Sequence, residues 1–239
     1  MTDLIRFDRV GYRYPGGNDV LADVSFAVGQ GEMCYITGPS GAGKTTLLRL
    51  IASLCRAHRG QLVVMGQNLS ALKARQIPAF RQRIGMVFQN FNLLNDRTVF
   101  DNVALPLVIR GYAYDDIGRR VRAALDSVGL LGKERVMPLT LSGGEQQRVG
   151  IARAIVTKPA LILADEPTGN LDPEMALEVM RGFARFNDAG VTVLIATHAI
   201  DLIEALPRRI IHLEHGHITD KRPTAASRLR EEVLADGLR

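Results

Sequence analysis

The run Gly38-Pro39-Ser40-Gly41-Ala42-Gly43-Lys44-Thr45 decides the fold. It matches the phosphate-loop pattern G-x-x-x-x-G-K-[ST] in full. Its flanks are the ones the pattern requires: the apolar, β-like run Met33 to Thr37 comes before it and a helical run, Thr45 to Ser53, follows at once. Glycines at these spacings let backbone N–H groups close on a polyphosphate, and the helix behind them presents its positive end. Lys44 is long enough to reach the β and γ phosphates, Thr45 offers a hydroxyl to Mg²⁺, and Thr46 belongs to the same nucleotide-binding turn.

Working outward, a second apolar run, Leu161-Ile162-Leu163-Ala164, ends in Asp165-Glu166. Acids at a strand end are commonly just solvated. Beside a phosphate loop, however, Asp165 is placed to hold the Mg²⁺ shell and Glu166 to polarise the water that attacks the γ phosphate. A third segment, Leu141-Ser142-Gly143-Gly144-Glu145-Gln146-Gln147-Arg148, contains an S-x-x-E capping box at a helix start. A capping box has no need of two glycines between its members, and glycine weakens a helix. Close approach of a phosphate does need them.

Between these motifs, strand-like and helical runs alternate. Val24 to Val28, Gln61 to Val64, Ala160 to Ala164 and Val191 to Ala196 read as strands, and Glu145 to Val156 and Pro173 to Phe186 as helices. Such alternation predicts a parallel sheet covered on both faces. Residues from about 90 to 141 change character: Ile117, Val121, Leu125 and Val128 recur at helical spacing behind Asp115 and Asp116, with Gly129 just past the end. This stretch reads as an inserted helical lobe. Arg209 to Ile218 reads as a hairpin turning at His215-Gly216, with residues 221–239 a polar tail.

The 239 residues suffice for one such domain but not for two. With 46% hydrophobic and 23% charged residues, the bulk is not disordered, and no apolar run approaches the ~20 residues needed to span a bilayer. The first residues have no basic-then-apolar signal pattern, so a cytosolic address is expected. Two cysteines give no disulfide framework. Thirty basic residues against 25 acidic ones, a net charge of +5, suit a nucleotide, an anionic membrane surface or nucleic acid.

Taken together, the chain resembles the ATP-binding-cassette (ABC) ATPases over nearly its whole length. Beyond the phosphate loop and the Asp165-Glu166 strand, Leu141 to Gln147 looks like the family signature, and Gln89, after Ile84-Gly85-Met86-Val87-Phe88, lies where the family's Q-loop glutamine lies. Asn170-Leu171-Asp172 resembles the D-loop, His198 the switch histidine, and Tyr14 the aromatic that stacks on adenine. The resemblance implies an α/β fold with a RecA-like parallel-sheet core, an antiparallel β subdomain and the inserted helical lobe, spanning residues 1–220. It implies ATP and Mg²⁺ as cofactors and a second copy of the chain packed head to tail. Ser142, Gly143, Gly144 and Glu145 of one copy would then meet the γ phosphate held by the other. By the same resemblance Gln89 senses Mg²⁺ and water, His198 supports the transition state with Glu166, and Asp172 couples the two sites.

Within the family, Asp96-Arg97-Thr98-Val99 and Gln146-Gln147-Arg148-Val149-Gly150 resemble the cell-division branch. That branch implies an integral membrane partner, regulation of cell-wall hydrolysis, and a peripheral place on the cytoplasmic face of the plasma membrane. ATPases of lipoprotein-release or macrolide export share much of the pattern and stand as the alternative. Independently, the strongly apolar Val99 to Ile109 suggests a groove for a partner helix. Lys73, Arg75, Arg81 and Arg83 form a basic cluster that suits lipid headgroups. No nucleic acid is expected: the interval from Lys44 to Ser142 lacks the heptads of a DNA-associated cassette, and no DNA-binding motif accompanies the charge. His212, His215 and His217 are not expected to hold zinc, because hairpin spacing is read as sending His212 to the face opposite His217.

Overall fold

A computed structural model describes residues 2–221, and the predicted tail beyond Lys221 lies outside the described residues. In chain order the first elements are β1 (Asp3–Arg13), β2 (Asp19–Gly29), β3 (Met33–Thr37), α1 (Lys44–Ile51), β4 (Arg59–Val64) and β5 (Gln67–Asn68). Then come α2 (Ile77–Arg81), β6 (Ile84–Val87), α3 (Val99–Ile109), α4 (Tyr114–Asp126), α5 (Gly143–Ile155), β7 (Leu161–Asp165) and α6 (Pro173–Asp188). The chain finishes with β8 (Thr192–Ala196), α7 (Ile200–Ala205), β9 (Arg209–Glu214) and β10 (His217–Lys221). Two compact units result, one from Met1–Leu72 with Ala184–Arg239, the other from Lys73–Phe183.

In the first unit, β3 lies between β8 and β9 and runs parallel to both. A strand hydrogen-bonded along both edges and covered on both faces must be apolar throughout, and Cys34, Tyr35 and Ile36 are fully buried. β10 extends this sheet antiparallel to β9. The antiparallel sheet β2-β1-β4-β5 accompanies it, with Phe7 stacked on Phe26 across the β1–β2 pair at 4.6 Å between ring centroids.

β2 starts well before the Val24 to Val28 run. The reason is a bulge at Asp23 (φ 59°), which moves the buried positions from Leu21 to Val24 and so breaks the two-residue alternation. Arg9 (φ 48°) does the same between Phe7 and Val10 of β1. The hairpin at the chain end requires a correction. Thr219 pairs with His212 and Glu214 with His217, so His212 and His217 share a face. His212 Nδ1 lies 3.0 Å from the Thr37 hydroxyl.

One buried cation ties this unit together. Arg209, 5% exposed, donates from Nη1 to Glu32 at 3.0 and 3.1 Å, from Nε to Asp220 at 2.8 Å and from Nη2 to Asp220 at 2.6 Å. These bonds, the Asp220 pair first, hold its pKa above the ordinary arginine value despite its burial.

In the second unit, β6 and β7 pair in parallel, with Gly85 opposite Ile162. Gly85 must be glycine because the Ala154 carbonyl of α5 occupies the space a Cβ would need. Helices α3, α4 and α5 enclose a core of Val99, Val103, Leu107, Val121, Leu125 and Val149, all fully buried. α3 opens with a Thr98/Asp101 capping box.

Removing the Arg209 charge takes from Glu32 and Asp220 the buried guanidinium that both accept from. Arg209→Met is therefore expected to destabilise the chain by about 3 kcal/mol, the low end for a broken buried pair because both acids are partly exposed. A urea-unfolding midpoint measures this.

Candidate nucleotide site

Each parallel strand ends in a chemical group. In the first unit, β3 delivers the phosphate loop. Gly38, Gly41 and Gly43 have φ of 143°, 78° and 103°, and any side chain on Gly38 would strike the Leu213 carbonyl. α1 begins at Lys44 behind Gly43 with no side-chain cap and no acid in its first turn, so its positive N-terminal end faces the loop. Lys44 is 9% exposed and donates from Nζ to the carbonyls of Gly38 (2.9 Å) and Pro39 (3.2 Å), spanning the loop it belongs to. The Pro39 carbonyl also accepts from Ala42 N, and Ser40 and Gly41 form the exposed crest.

Tyr14 is 40% exposed, packs edge-on against Tyr12 and places its hydroxyl 3.0 Å from Thr46 Oγ1 in the first turn of α1. An aromatic face is thus fixed beside the loop. His198 follows β8 in an exposed turn. Thr197 holds that turn: its N–H donates to Ile36 O and its hydroxyl accepts from Ala199 N.

In the second unit, Asp165 closes β7, and Glu166 follows in the left-handed region (φ 46°), strained for a residue with a side chain. Gly169 N donates back to the Glu166 carbonyl, and Gln89 Nε2 lies 3.5 Å from where a Gly169 Cβ would stand. Gln89 and Glu166 are thereby drawn to one turn. Asn170 Nδ2 reaches the Gln89 carbonyl at 3.5 Å. Asp172 caps α6 by accepting from Met175 N at 3.0 Å.

The capping box predicted at α5 is present: Glu145 N donates to Ser142 Oγ, and Ser142 N donates to Glu145 Oε2. The ammonium of Lys133, and after it the Ser142 amide, hold the Glu145 carboxyl below its usual range. The two signature glycines differ. Gly143 is exposed and has room for a Cβ, whereas the Met175 thioether fills the space beside buried Gly144. Packing on α6 thus gives Gly144 a reason of its own.

Hydroxyl and carboxylate oxygens at Thr45 and Asp165 are the hard donors that Mg²⁺ prefers, and a bound nucleotide supplies more. Among the described residues no cluster of three or more His, Cys, Asp or Glu forms a cage for a metal. Thr45 and Asp165 each offer by themselves the kind of donor that suits a Mg²⁺ arriving with phosphates.

Comparison with known proteins places the chain in a family. A family model described as ABC transporter matches residues 21–169. The chain belongs to the ABC transporter family. It is an ABC-type ATPase that binds and hydrolyses ATP. It is 54% identical over 215 residues to the cell division ATP-binding protein FtsE of Escherichia coli K12, covering 90% of this chain and 97% of that one. It is 49% identical to the FtsE of Haemophilus influenzae, covering 90% and 99%. Among solved structures, the dimeric bacterial ABC transporter cassette MJ0796 superposes with a TM-score of 0.84 at 33% identity, over 91% of this chain and 98% of that one. The same cassette in a post-hydrolysis state with ADP and Pi matches equally well at 32% identity. Among the described residues of this cassette no helix is long and apolar enough to cross a membrane.

Two polar side chains that organise the second unit are not singled out by the sequence. Asn102, fully buried in α3, accepts from Leu94 N and donates to the carbonyls of Leu94, Arg97 and Thr98. Arg153 in α5 donates to the carbonyls of Phe91 and Asn92. The signal for Asn102 is a lone amide in an apolar helical run.

Ser142→Ala removes the cap of α5 and is expected to cost about 1 kcal/mol in urea unfolding at neutral pH. Because Glu145 titrates below its usual range, its part of the box is complete above the ordinary glutamate pKa and fades only as pH falls through the lowered one. The amide that Glu145 accepts from is backbone and survives in Ser142→Ala, so acid should weaken wild type and variant alike and leave the difference between them unchanged.

Proposed function

We propose that this cassette is the ATP-driven subunit of an FtsEX-like cell-division complex. Two copies close head to tail on ATP, and closure is passed to an integral membrane partner of FtsX type that regulates cell-wall hydrolysis. The observation that carries the partner is a groove in the second unit, walled by apolar Ile84, Leu105, Pro106 and Ile109 and edged by Arg81 and Arg110. Ile109 is 64% and neighbouring Val108 57% exposed, and α3 spends a helix-interior proline on this wall. Exposed apolar side chains on a groove suit an amphipathic helix from another chain. The near full-length likeness to FtsE supports the division role, and the dimeric MJ0796 cassette supports the closed pair. The cassette then works as a peripheral protein on the cytoplasmic face of the membrane.

Each residue's part follows from its chemistry. Gly38, Ser40, Gly41, Ala42 and Gly43 wrap the phosphates with backbone N–H groups, Pro39, which has no N–H, shapes the loop between them, Lys44 neutralises the β and γ phosphates, and Thr45 and Thr46 complete the turn. Tyr14 stacks on the base. Thr45, Asp165 and Gln89 are the residues that would hold Mg²⁺, which when bound would supply charge neutralisation on the phosphate oxygens. Glu166 takes the proton of the attacking water, and His198 steadies the charge that develops on the γ phosphate. Ser142, Gly143, Gly144 and Glu145 of the second copy complete the phosphate contacts at the N-terminus of α5, with Asp172 on the facing surface.

Glu166→Gln should retain ATP binding, hydrolyse at least ~10²-fold more slowly and accumulate as a nucleotide-bound dimer in light scattering. Wild-type turnover by this variant would contradict the assignment. Lys44→Ala should weaken binding of a fluorescent ATP analogue itself.

A further inference from the structure

Arg153 stands in the last turn of α5 and is committed to backbone. Nη1 donates to Asn92 O at 2.6 Å and Nη2 to Phe91 O at 2.8 Å. Carbonyls of successive residues point to opposite sides in extended chain, so both can meet one guanidinium only where the backbone turns. Asn92 makes that turn in the left-handed region, at φ 50°. Two adjacent acceptors facing one donor pair call for a planar fork, which arginine has and lysine lacks.

The clamped segment begins two residues after Gln89. Phe91 lies along one face of α5: its ring end is 3.9 Å from the Cβ position of Gly143, and its carbonyl is 3.8 Å from that of Gly150. Gly143, Gly150 and Arg153 share that face by helical spacing. On its other side the loop meets Asn170, through the Gln89 carbonyl. Asn102 holds the same loop further on, at Leu94, Arg97 and Thr98. Arg153 is half-buried, and the loss of water around its guanidinium pushes the pKa down from the ordinary arginine value. Arg153 also lines the groove.

The geometry points to Arg153 as a positioning residue for hydrolysis: its fork fixes the loop of Gln89 to the signature helix, so that Gln89 and the Ser142–Glu145 turn move as one piece. This inference rests on the hydrolytic reading above and assigns a part in it to a side chain that touches neither nucleotide nor metal. It predicts an effect on turnover without one on nucleotide affinity.

The test compares Arg153→Met, which removes both donors, with Arg153→Lys, which keeps the charge and one donor. Steady-state ATPase should give a kcat reduced at least ~10-fold in Arg153→Met and by less in Arg153→Lys, with KM for ATP within about twofold of wild type. The chain has no tryptophan, so Phe91→Trp gives a single fluorescent reporter at the clamp. Its emission should shift when MgATP is added with Arg153 in place, and the shift should be lost when Arg153→Met is combined with the reporter. Unchanged kcat in both variants overturns the inference, as does an ATP-induced shift indifferent to the side chain at position 153. Failure of both variants to fold also overturns it, since Arg153 is then a structural tie alone. If turnover proves independent of Glu166, the hydrolytic reading itself has failed; turnover that needs Glu166 but ignores Arg153 sinks this inference only.

Discussion

A parallel strand buried on both faces has no place for an unpaired charge until the chain leaves the sheet, and this constraint organises the cassette; Arg209, buried at the start of β9, is paired with Glu32 and Asp220. β3 is apolar to Ile36 and then releases the phosphate loop; β8 is buried to Ala196 and then releases Thr197 and His198. In the second unit β6 releases the loop of Gln89, and β7 stays buried until Asp165 and Glu166. The chemistry sits at strand ends because burial forbids it earlier.

Loops placed in this way must still be held in shape, and the cassette does so with backbone-directed side chains. Lys44 spans its own loop, Thr197 pins the turn of His198, Asp172 caps α6, and Asn102 and Arg153 divide the loop after Gln89 between them. Gly169 keeps Gln89 and Glu166 within reach of one turn. Several of these contacts place a group that the proposed reaction uses, rather than adding core area.

Much of this was legible in the sequence because phosphate chemistry restricts residue type at fixed spacing. The loop at residues 38–45, the Asp165-Glu166 strand end and the α5 capping box each carry a local signature, and β3 coincides with its apolar run. What escaped is set by geometry that spacing does not encode. Bulges at Arg9 and Asp23 shift the alternation and hide the lengths of β1 and β2. Hairpin register, which fixes the faces of His212 and His217, follows from the two-residue turn. Arg153 reads as an ordinary helix-end cation until its acceptors, some sixty residues away, are folded against it. Gly144 reads as a phosphate contact alone, and the second reason for a glycine there, the Met175 thioether beside it, shows only in the fold.

In the proposed function a complete site takes the phosphate loop of one copy and the signature helix of another. Mixing two inactive variants tests it directly. Lys44→Ala loses the loop, and Gly143→Asp places a negative charge at the start of α5, where the space beside Gly143 lets it fold. A mixed dimer regains one intact composite site, so equimolar mixing should restore ATPase activity to about a quarter of the wild-type rate, given random pairing in a twofold dimer. Activity that stays at the level of the separate variants, with mixed dimers shown to form, would contradict the account.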